Sequence, residues 1–127
     1  MKTILKVISI VISSSVLFPM ISSAQDAVEG ENIFKKKCKI CHTITKGDKA
    51  KIGPNLYGIY DRHAGEFEGY KYSKDLIEAN LTWDQATLDV YLLKPKDVVK
   101  KSKMIFAGLK KEKDRKDIIE YLKTLKN

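Results

Sequence analysis

The chain has 127 residues, with 24 basic and 16 acidic side chains and a formal net charge of +8. This length suits one small domain rather than several. The lysines are scattered among acidic residues and no aromatic stacking platform accompanies them, which excludes nucleic acid as the expected partner. The charge instead indicates an acidic partner or surface.

The N-terminal segment, residues 1–24, has the layout of a secretory signal peptide. Two lysines precede an uncharged run at residues 7–18, and the segment ends in Ser-Ser-Ala. The uncharged run is shorter than the roughly 20 residues that a spanning helix needs. We therefore expect export, cleavage before Gln25 and a single domain at residues 25–127, without stable membrane insertion. Retention of the segment as a membrane anchor is the alternative.

A first helix is predicted to begin at Asp26, because Asp26 and Glu29 form the D-x-x-E pattern of a helix start. This helix carries Phe34 towards the sequence CKICH at residues 38–42. Both cysteines of the chain lie in that motif, and after export they enter an oxidising compartment. A structural disulfide, a redox dithiol and covalent cofactor attachment are the competing uses.

The residues around the motif favour cofactor attachment. A disulfide between Cys38 and Cys41 would close too small a loop to stabilise the fold much. A thioredoxin-like dithiol expects βαβ patterning, which is absent from the sequence, and zinc would need ligands besides His42 and His63. C-x-x-C-H is the attachment motif of c-type haem, so the predicted cofactor is one covalent haem c with its iron.

The spacing of the motif suits this chemistry. Positions 38 and 41 share one face of a helical turn, so both thiols can form thioethers with the two vinyl groups on one haem edge. His42 follows directly and is placed to bind the iron. Its other ring nitrogen needs an acceptor, for which the backbone carbonyl of Pro54 is a candidate.

A sixth ligand decides whether such a haem carries electrons or binds small molecules. Met1 and Met20 lie in the predicted signal peptide, so Met104 is the only thioether of the mature chain. Core packing is the alternative role for a lone methionine beside apolar residues. His63 is the rival ligand, but its surroundings, DRHAGE, are typical of a solvated polar loop.

The rest of the chain is predicted to be a loop followed by helices. Glycines and lysines are frequent over residues 47–69, which indicates a loop. Ser73 is the predicted cap of a short helix that contains Leu76 and Ile77. No strand alternation of useful length is present, so the predicted fold class is all-α.

Two longer helices complete the prediction. Thr82 and Gln85 form a capping box, and the helix that they start ends at Pro95. The predicted apolar face of this helix consists of Leu88, Tyr91 and Leu92. The last helix has apolar residues with i, i+3, i+4, i+7 spacing, namely Ile118, Tyr121, Leu122 and Leu125.

From Gly30 to the C-terminus the sequence resembles class I cytochromes c of the mitochondrial and alphaproteobacterial type. The matching stretches stand in the same order and cover nearly the whole domain: CKICHT, GPNLYG, the Arg62 region, GYKYS, LTW, YLLKP, KMIFAGLKK and DIIEYLK. The resemblance implies a small cytochrome c fold, with helices wrapped around one covalent haem. It also implies a monomeric periplasmic electron carrier, not an enzyme, that works between a quinol-oxidising cytochrome bc complex and a terminal oxidase.

The resemblance further implies roles for individual residues. Cys38 and Cys41 would attach the haem. His42 would be the proximal ligand of the iron and Met104 the distal one, with Tyr91 hydrogen-bonded near the methionine sulfur. Residues at positions that hold a haem propionate in the family are Arg62, Tyr72 and Trp83.

Two more sets of positions match the family. The contact between the first and last helices would involve Gly30, Phe34, Tyr121 and Leu122. A basic ring around the exposed haem edge would dock on acidic surfaces of redox partners, and it consists of Lys37, Lys51, Lys96, Lys103, Lys110 and Lys111. Long-range attraction of this kind speeds encounter while the contact area stays small.

The chain departs from the family pattern close to Met104. Lys100 and Lys101 stand where the family usually has Pro-Gly, so a rigid and a permissive residue are both lost. Leu76 replaces a common asparagine, and Ala50 replaces a common histidine. A loosened loop suggests an alternative function: a haem protein with a labile sixth ligand that acts as a peroxidase-like enzyme or a gas sensor.

Overall fold

The computed structural model describes residues 26–126, so the predicted signal peptide and its cleavage point lie outside the described residues. Five α-helices occur within this range: α1 (Ala27–Lys37), α2 (Lys74–Glu78), α3 (Gln85–Leu93), α4 (Pro95–Val98) and α5 (Glu112–Thr124). An isolated antiparallel bridge joins His63 to Thr82, and no strand is present between residues 26 and 126. The predicted all-α class is confirmed.

Asp26 is the N-cap of helix α1, in agreement with the predicted helix start, but it forms no reciprocal capping box with Glu29. The Asp26 carboxylate accepts hydrogen bonds from the backbone N–H groups of Val28 and Glu29, at 2.9 and 3.2 Å. The backbone N–H of Asp26 donates to the buried carboxylate of Asp117 at 2.9 Å. Glu29 instead accepts from the Asn32 side chain. The start of α1 is therefore tied to α5.

The packing of α1 against α5 confirms the predicted contact between the first and last helices. A Cβ atom on Gly30 would lie 2.1 Å from the Asp117 carbonyl oxygen, so only glycine allows the two backbones to approach this closely. The Phe34 ring is 2% exposed, and its centroid lies 5.7 Å from that of Tyr121. Leu122 is buried in the same core. This crossing holds the cysteine motif, which directly follows α1.

Helix α3 begins at a different cap from the one predicted. Its N-cap is Asp84, whose carboxylate accepts from the Thr87 N–H at 2.8 Å, whereas Thr82 forms the bridge with His63. The predicted Thr82–Gln85 capping box is wrong because Asp84 immediately precedes the first helical residue and aspartate caps at least as well as threonine. The predicted apolar face is confirmed by the burial of Leu88, Tyr91 and Leu92.

The two short helices are fixed at their first residues. Ser73 Oγ accepts from the Leu76 N–H at 3.2 Å and caps α2, as predicted. Helix α3 ends at Leu93, before Pro95, as predicted. Pro95 then occupies the first position of α4, where its missing N–H costs nothing. Helix α4 was not predicted from the sequence. The predicted loop at residues 47–69 contains no helix.

The segment that follows Met104 is fixed between α3 and α5. The buried Arg115 side chain of α5 donates to the Asp89 carboxylate at 2.8 Å and to the Leu109 carbonyl oxygen at 2.9 Å. Gly108 has φ +100°, and a Cβ there would lie 1.9 Å from the Leu93 carbonyl oxygen. A non-glycine residue at position 108 would therefore meet both backbone strain and a clash. These contacts were not predicted from the sequence.

Candidate functional site

An apolar cleft of about 320 Å³ lies at the centre of the described domain. Its lining includes the four residues predicted to attach the haem or bind its iron: Cys38, Cys41, His42 and Met104. Apolar side chains form much of the remaining wall, among them Leu56, Ile59, Leu76, Leu88, Leu92 and Phe106. A largely apolar cleft with a few polar groups suits a flat, mostly apolar ligand such as a porphyrin.

The two cysteines lie in the turn that ends α1. The Cys38 N–H donates to the Phe34 carbonyl oxygen at 2.8 Å, and the N–H groups of Cys41 and His42 both donate to the Cys38 carbonyl oxygen at 3.0 Å. This turn presents both thiols to the cleft. Burial, and secondarily the neighbouring Cys41, raises the pKa of Cys38 to about 11. Reactive redox thiols usually have a lowered pKa, so this environment does not favour a redox dithiol.

His42 is oriented by a backbone carbonyl. Its Nδ1 lies 2.7 Å from the Pro54 carbonyl oxygen, so a protonated Nδ1 donates there and leaves the Nε2 lone pair free. The ring is only 8% exposed, and burial lowers the pKa of His42 while the Pro54 carbonyl opposes that shift. A neutral imidazole with one nitrogen held by an acceptor is the form that binds iron.

Gly53 packs directly against the His42 ring. A Cβ atom at position 53 would lie 2.5 Å from His42 Cε1 and 2.9 Å from Nδ1. Real Cβ atoms do not approach this closely, so a larger residue would displace the imidazole or the loop. The glycine before Pro54 therefore determines where the ring lies. From the sequence, Gly-Pro-Asn predicts only a turn, and the contact of Gly53 with His42 was not predicted.

Met104 enters the cleft from the non-helical segment between α4 and α5. The Tyr91 hydroxyl donates to Met104 Sδ at 3.6 Å and lies 3.3 Å from Ser102 Oγ. Ser102 Oγ also accepts from the Met104 N–H at 3.2 Å. Burial raises the pKa of Tyr91, which keeps its hydroxyl protonated and able to donate. The thioether is therefore held from α3 in the same cleft as His42.

The donor set fits a haem iron. The described residues present one imidazole nitrogen and one thioether sulfur to the cleft, together with two thiols in one turn. An imidazole and a thioether are both protein groups that would hold a haem iron. His63 does not line this cleft and instead makes the bridge with Thr82, so the rival ligand lies elsewhere in the fold.

The three residues matched to propionate-binding positions are not equally placed. Tyr72 and Trp83 line the cleft. Arg62 does not, because its guanidinium donates to the carbonyl oxygens of Tyr57 and Asn55, at 3.0 and 3.1 Å. Burial raises the pKa of Tyr72, and the nearby Arg62 opposes that shift. The propionate role of Arg62 stays a prediction.

Asn55 organises the loop that holds Pro54, and the sequence analysis missed it. The side chain is 1% exposed and donates to the carbonyl oxygens of Thr45 and Asp48, at 2.7 and 2.9 Å. Its Oδ1 accepts from the Tyr57 N–H at 2.7 Å. Both the amide nitrogen and the amide oxygen of this side chain thus hold the loop, which explains an asparagine after the proline.

The six lysines of the basic ring are all exposed. Lys37 and Lys103 line the mouth of the cleft. Two of the ring ammonium groups have backbone partners, since Lys51 Nζ donates to the Lys39 carbonyl oxygen and Lys103 Nζ to that of Lys71. The cleft mouth also carries exposed Ile52 and Ile105, which are 72% and 96% exposed. The other four ring lysines do not line the cleft. An apolar contact beside exposed cations suits brief protein docking.

The part of the chain between residues 26 and 126 contains no helix that is both long enough and apolar enough to cross a membrane.

The sequence of this domain is similar to those of known proteins. The sequence model of the family described as Cytochrome c matches residues 27–126. Cytochrome c of Chlamydomonas reinhardtii is 50% identical over 100 residues, which cover 79% of this chain and 89% of that protein. Cytochrome c of Kluyveromyces lactis is 46% identical over 94 residues, covering 74% and 86%. Cytochrome c2 iso-2 of Magnetospirillum molischianum is 52% identical over 89 residues, covering 70% and 91%.

Proposed function

The chain belongs to the cytochrome c family, and from this premise we propose that it carries single electrons in the periplasm, from a quinol-oxidising cytochrome bc complex to a terminal oxidase. Membership means that the chain binds one covalent haem c and is an electron-transfer protein, not an enzyme. Membership of the family does not by itself specify the proposed location or the proposed partners. Their support comes from the signal-like residues 1–24 and the basic ring.

One observation supports the proposed site most strongly: residues that are far apart in the sequence of the domain line the same apolar cleft. Cys38 and Cys41 are the proposed attachment residues, and His42 and Met104 the proposed axial ligands. When bound, the haem supplies an iron that accepts and returns one electron. The Pro54 carbonyl fixes the tautomer of His42. The apolar lining excludes water and disfavours the more highly charged oxidised form.

The lysine ring supplies the docking part of the proposal. Exposed cations around the cleft mouth attract an acidic partner over a distance, which raises the rate of encounter. The exposed Ile52 and Ile105 provide a small apolar contact at the place where an electron would leave. A small contact area allows the complex to dissociate quickly, as a shuttle requires.

Three measurements test the function. The mature protein should retain haem after denaturation, because thioethers to Cys38 and Cys41 are covalent, and its first residue should be Gln25.

In membranes that contain a cytochrome bc complex and an oxidase, added reduced protein should be oxidised rapidly, and more slowly as salt rises. Absence of denaturation-resistant haem would end the site proposal. A retained Met1 would end the proposed cleavage, and failure to be oxidised would end the partner proposal.

The alternative of a labile sixth ligand receives less support from the contacts around Met104. The Tyr91 hydroxyl and Ser102 hold the sulfur and the backbone of this residue in place. Carbon monoxide distinguishes the two functions, because it binds the reduced protein quickly only if the sixth position is easily vacated. Slow binding supports the carrier, and fast binding supports the sensor or peroxidase-like protein.

A further inference from the structure

The loop that carries Met104 is joined to helix α2 by a hydrogen bond across 26 positions of the chain. The backbone N–H of Lys101 donates to Oδ2 of Asp75 at 3.3 Å. Lys101 lies three residues before Met104, in the pair that replaces the Pro-Gly of the family pattern. We propose that Asp75 is a positioning residue that holds this loop closed, in place of the restraint lost with Pro-Gly. The inference rests on the proposed role of Met104 as axial ligand.

Asp75 is well anchored for this task. It lies in the first turn of α2, whose start is capped by Ser73 Oγ, and a carboxylate in that turn is favoured by the helix dipole. The next residue, Leu76, is 8% exposed and lines the cleft. Helix α2 therefore contributes to the cleft wall through Leu76 and contacts the Met104 loop through Asp75. A shift of the loop would break a contact with a fixed element.

The charge of the loop adds a second reason for a carboxylate at this place. Lys100, Lys101 and Lys103 place three cations within four residues, and all three side chains are exposed. An anionic acceptor lowers the repulsion within this run while it accepts the Lys101 N–H, and hydrogen bonds to charged groups are the stronger ones. A neutral acceptor would supply only the hydrogen bond.

Lys103 makes a parallel contact with the residues before α2. Its Nζ donates to the Lys71 carbonyl oxygen and lies 6.0 Å from the centroid of the Tyr70 ring. The loop is therefore held at two points, at Lys101 and at Lys103. Loss of the Asp75 contact should loosen the loop locally rather than unfold the domain, because the other point remains.

The test compares holoprotein variants that carry the same change in charge. Asp75→Ala removes the acceptor, and Asp75→Asn keeps an oxygen acceptor but removes the charge. Glu78→Ala is the matched control, because Glu78 belongs to the same helix and pairs with Lys74 on its exposed surface. Two readouts report the loop: hydrogen exchange of the Lys101 amide, and the rate at which imidazole binds the ferric protein. Thermal unfolding reports the whole domain.

We expect Asp75→Ala to speed both Lys101 exchange and imidazole binding about two- to tenfold relative to Glu78→Ala, the range for loss of one hydrogen bond. Asp75→Asn should lie between the wild type and Asp75→Ala. The proposal is overturned if Asp75→Ala matches Glu78→Ala in both readouts, or if its only effect is a lower unfolding temperature. An incorrect assignment of Met104 as the iron ligand would be detected independently of these variants, because the wild-type ferric spectrum would then lack methionine-to-iron charge-transfer absorption.

Discussion

His42 and Met104 are each oriented by a partner that is not a ligand itself. The Pro54 carbonyl oxygen lies 2.7 Å from His42 Nδ1, and the Tyr91 hydroxyl lies 3.6 Å from Met104 Sδ. Each contact fixes one rotational freedom of a proposed ligand before the iron binds. Such preorganisation matters because an axial ligand a fraction of an ångström out of place binds less strongly.

The residue beside the imidazole offers the sharpest test at this scale. Gly53→Ala adds a Cβ 2.5 Å from His42 Cε1, so the ring or the loop must move. We expect the free energy of unfolding to fall by about 1–3 kcal/mol, the usual cost of overpacking. Reduced haem attachment should accompany it. Chemical denaturation and the yield of covalent haem are the measurements.

Gly47→Ala is the matched control for that change. Position 47 has open space around its Cβ and φ +85°, so alanine there meets backbone strain but no clash. The control should lower stability modestly and leave haem attachment intact. Equal haem yields in Gly53→Ala and Gly47→Ala would show that the contact with His42 does not position the ring.

Helix ends and helix crossings determine the structure at the scale of elements. Helix α1 leads directly into the turn that contains the two cysteines, α3 contains Tyr91, and α5 packs against α1. Each of these helices depends on one small feature for its placement. Asp26 caps α1, Asp84 caps α3, and Gly30 allows α1 to approach α5. Single substitutions at these positions should therefore have clear effects.

The cap of α3 can be assigned by comparing two substitutions. Asp84→Ala removes the acceptor of the Thr87 N–H and should lower the melting temperature by roughly 5 °C. Thr82→Ala should change it by less than half as much, because Thr82 lies outside the cap. A larger loss from Thr82→Ala would restore the capping box that the sequence predicts.

The same cap predicts a pH dependence. Hydrogen bonds from Thr87 lower the pKa of Asp84 from its ordinary value of 3.8. The stabilisation by Asp84 is therefore complete above about pH 4 and is lost as pH falls through the lowered pKa. Asp84→Asn keeps the cap without a titrating group, so the stability of this variant relative to the wild type should rise as the pH falls. A constant difference between pH 5 and pH 2 would contradict this assignment.

Gly30→Ala tests the crossing of α1 and α5. Helix propensity alone predicts that alanine stabilises an exposed helix by about 1 kcal/mol. The Cβ would, however, lie 2.1 Å from the Asp117 carbonyl oxygen, so we expect a net loss of about 2–4 kcal/mol on denaturation. Asn32→Ala, on the exposed face of the same helix, is the control and should have little effect. A stabilised Gly30→Ala protein would refute the close approach.

Sequence reasoning reached those features that depend on local spacing or on a unique residue. The cysteine turn and His42 follow from five adjacent residues, and Met104 is the only methionine outside the predicted signal peptide. The hydrogen bond between Lys101 and Asp75 could not be predicted, because it joins residues 26 positions apart. The capping pattern at Ser73 predicts where α2 begins, but not which residues contact that helix. The predicted cap of α3 was also wrong, because two nearby residues, Thr82 and Asp84, can both act as caps and Asp84 is the one that does.

At the scale of the whole molecule, a proposed redox site in the apolar cleft is combined with a proposed docking surface of exposed lysines. The deep site needs low polarity to favour the reduced iron, whereas fast encounter needs charge at the surface. The fold separates the two demands, because the apolar walls line the cleft and the six ring lysines are all exposed. Net charge after the proposed cleavage is +6, since two of the lysines leave with the signal peptide.

The docking surface predicts a position-dependent effect of charge. Lys37→Glu reverses a charge at the cleft mouth, whereas Lys36→Glu reverses the neighbouring exposed charge, which does not line the cleft. We expect Lys37→Glu to slow association with an acidic redox partner several-fold at low salt and Lys36→Glu to slow it clearly less. Stopped-flow rates at several ionic strengths measure this. Equal effects of both changes would indicate a response to net charge only.

The central claim is that Met104 and His42 bind one haem iron from opposite sides, and the most direct measurement compares Met104→Ala with the wild type. Ile105→Ala is the control, since this neighbouring side chain is 96% exposed. We predict that Met104→Ala keeps its covalent haem, loses the charge-transfer absorption of the ferric protein and shifts to a lower midpoint potential, because a thioether favours the reduced iron. A spectrum and a potential that match those of Ile105→Ala would contradict the claim.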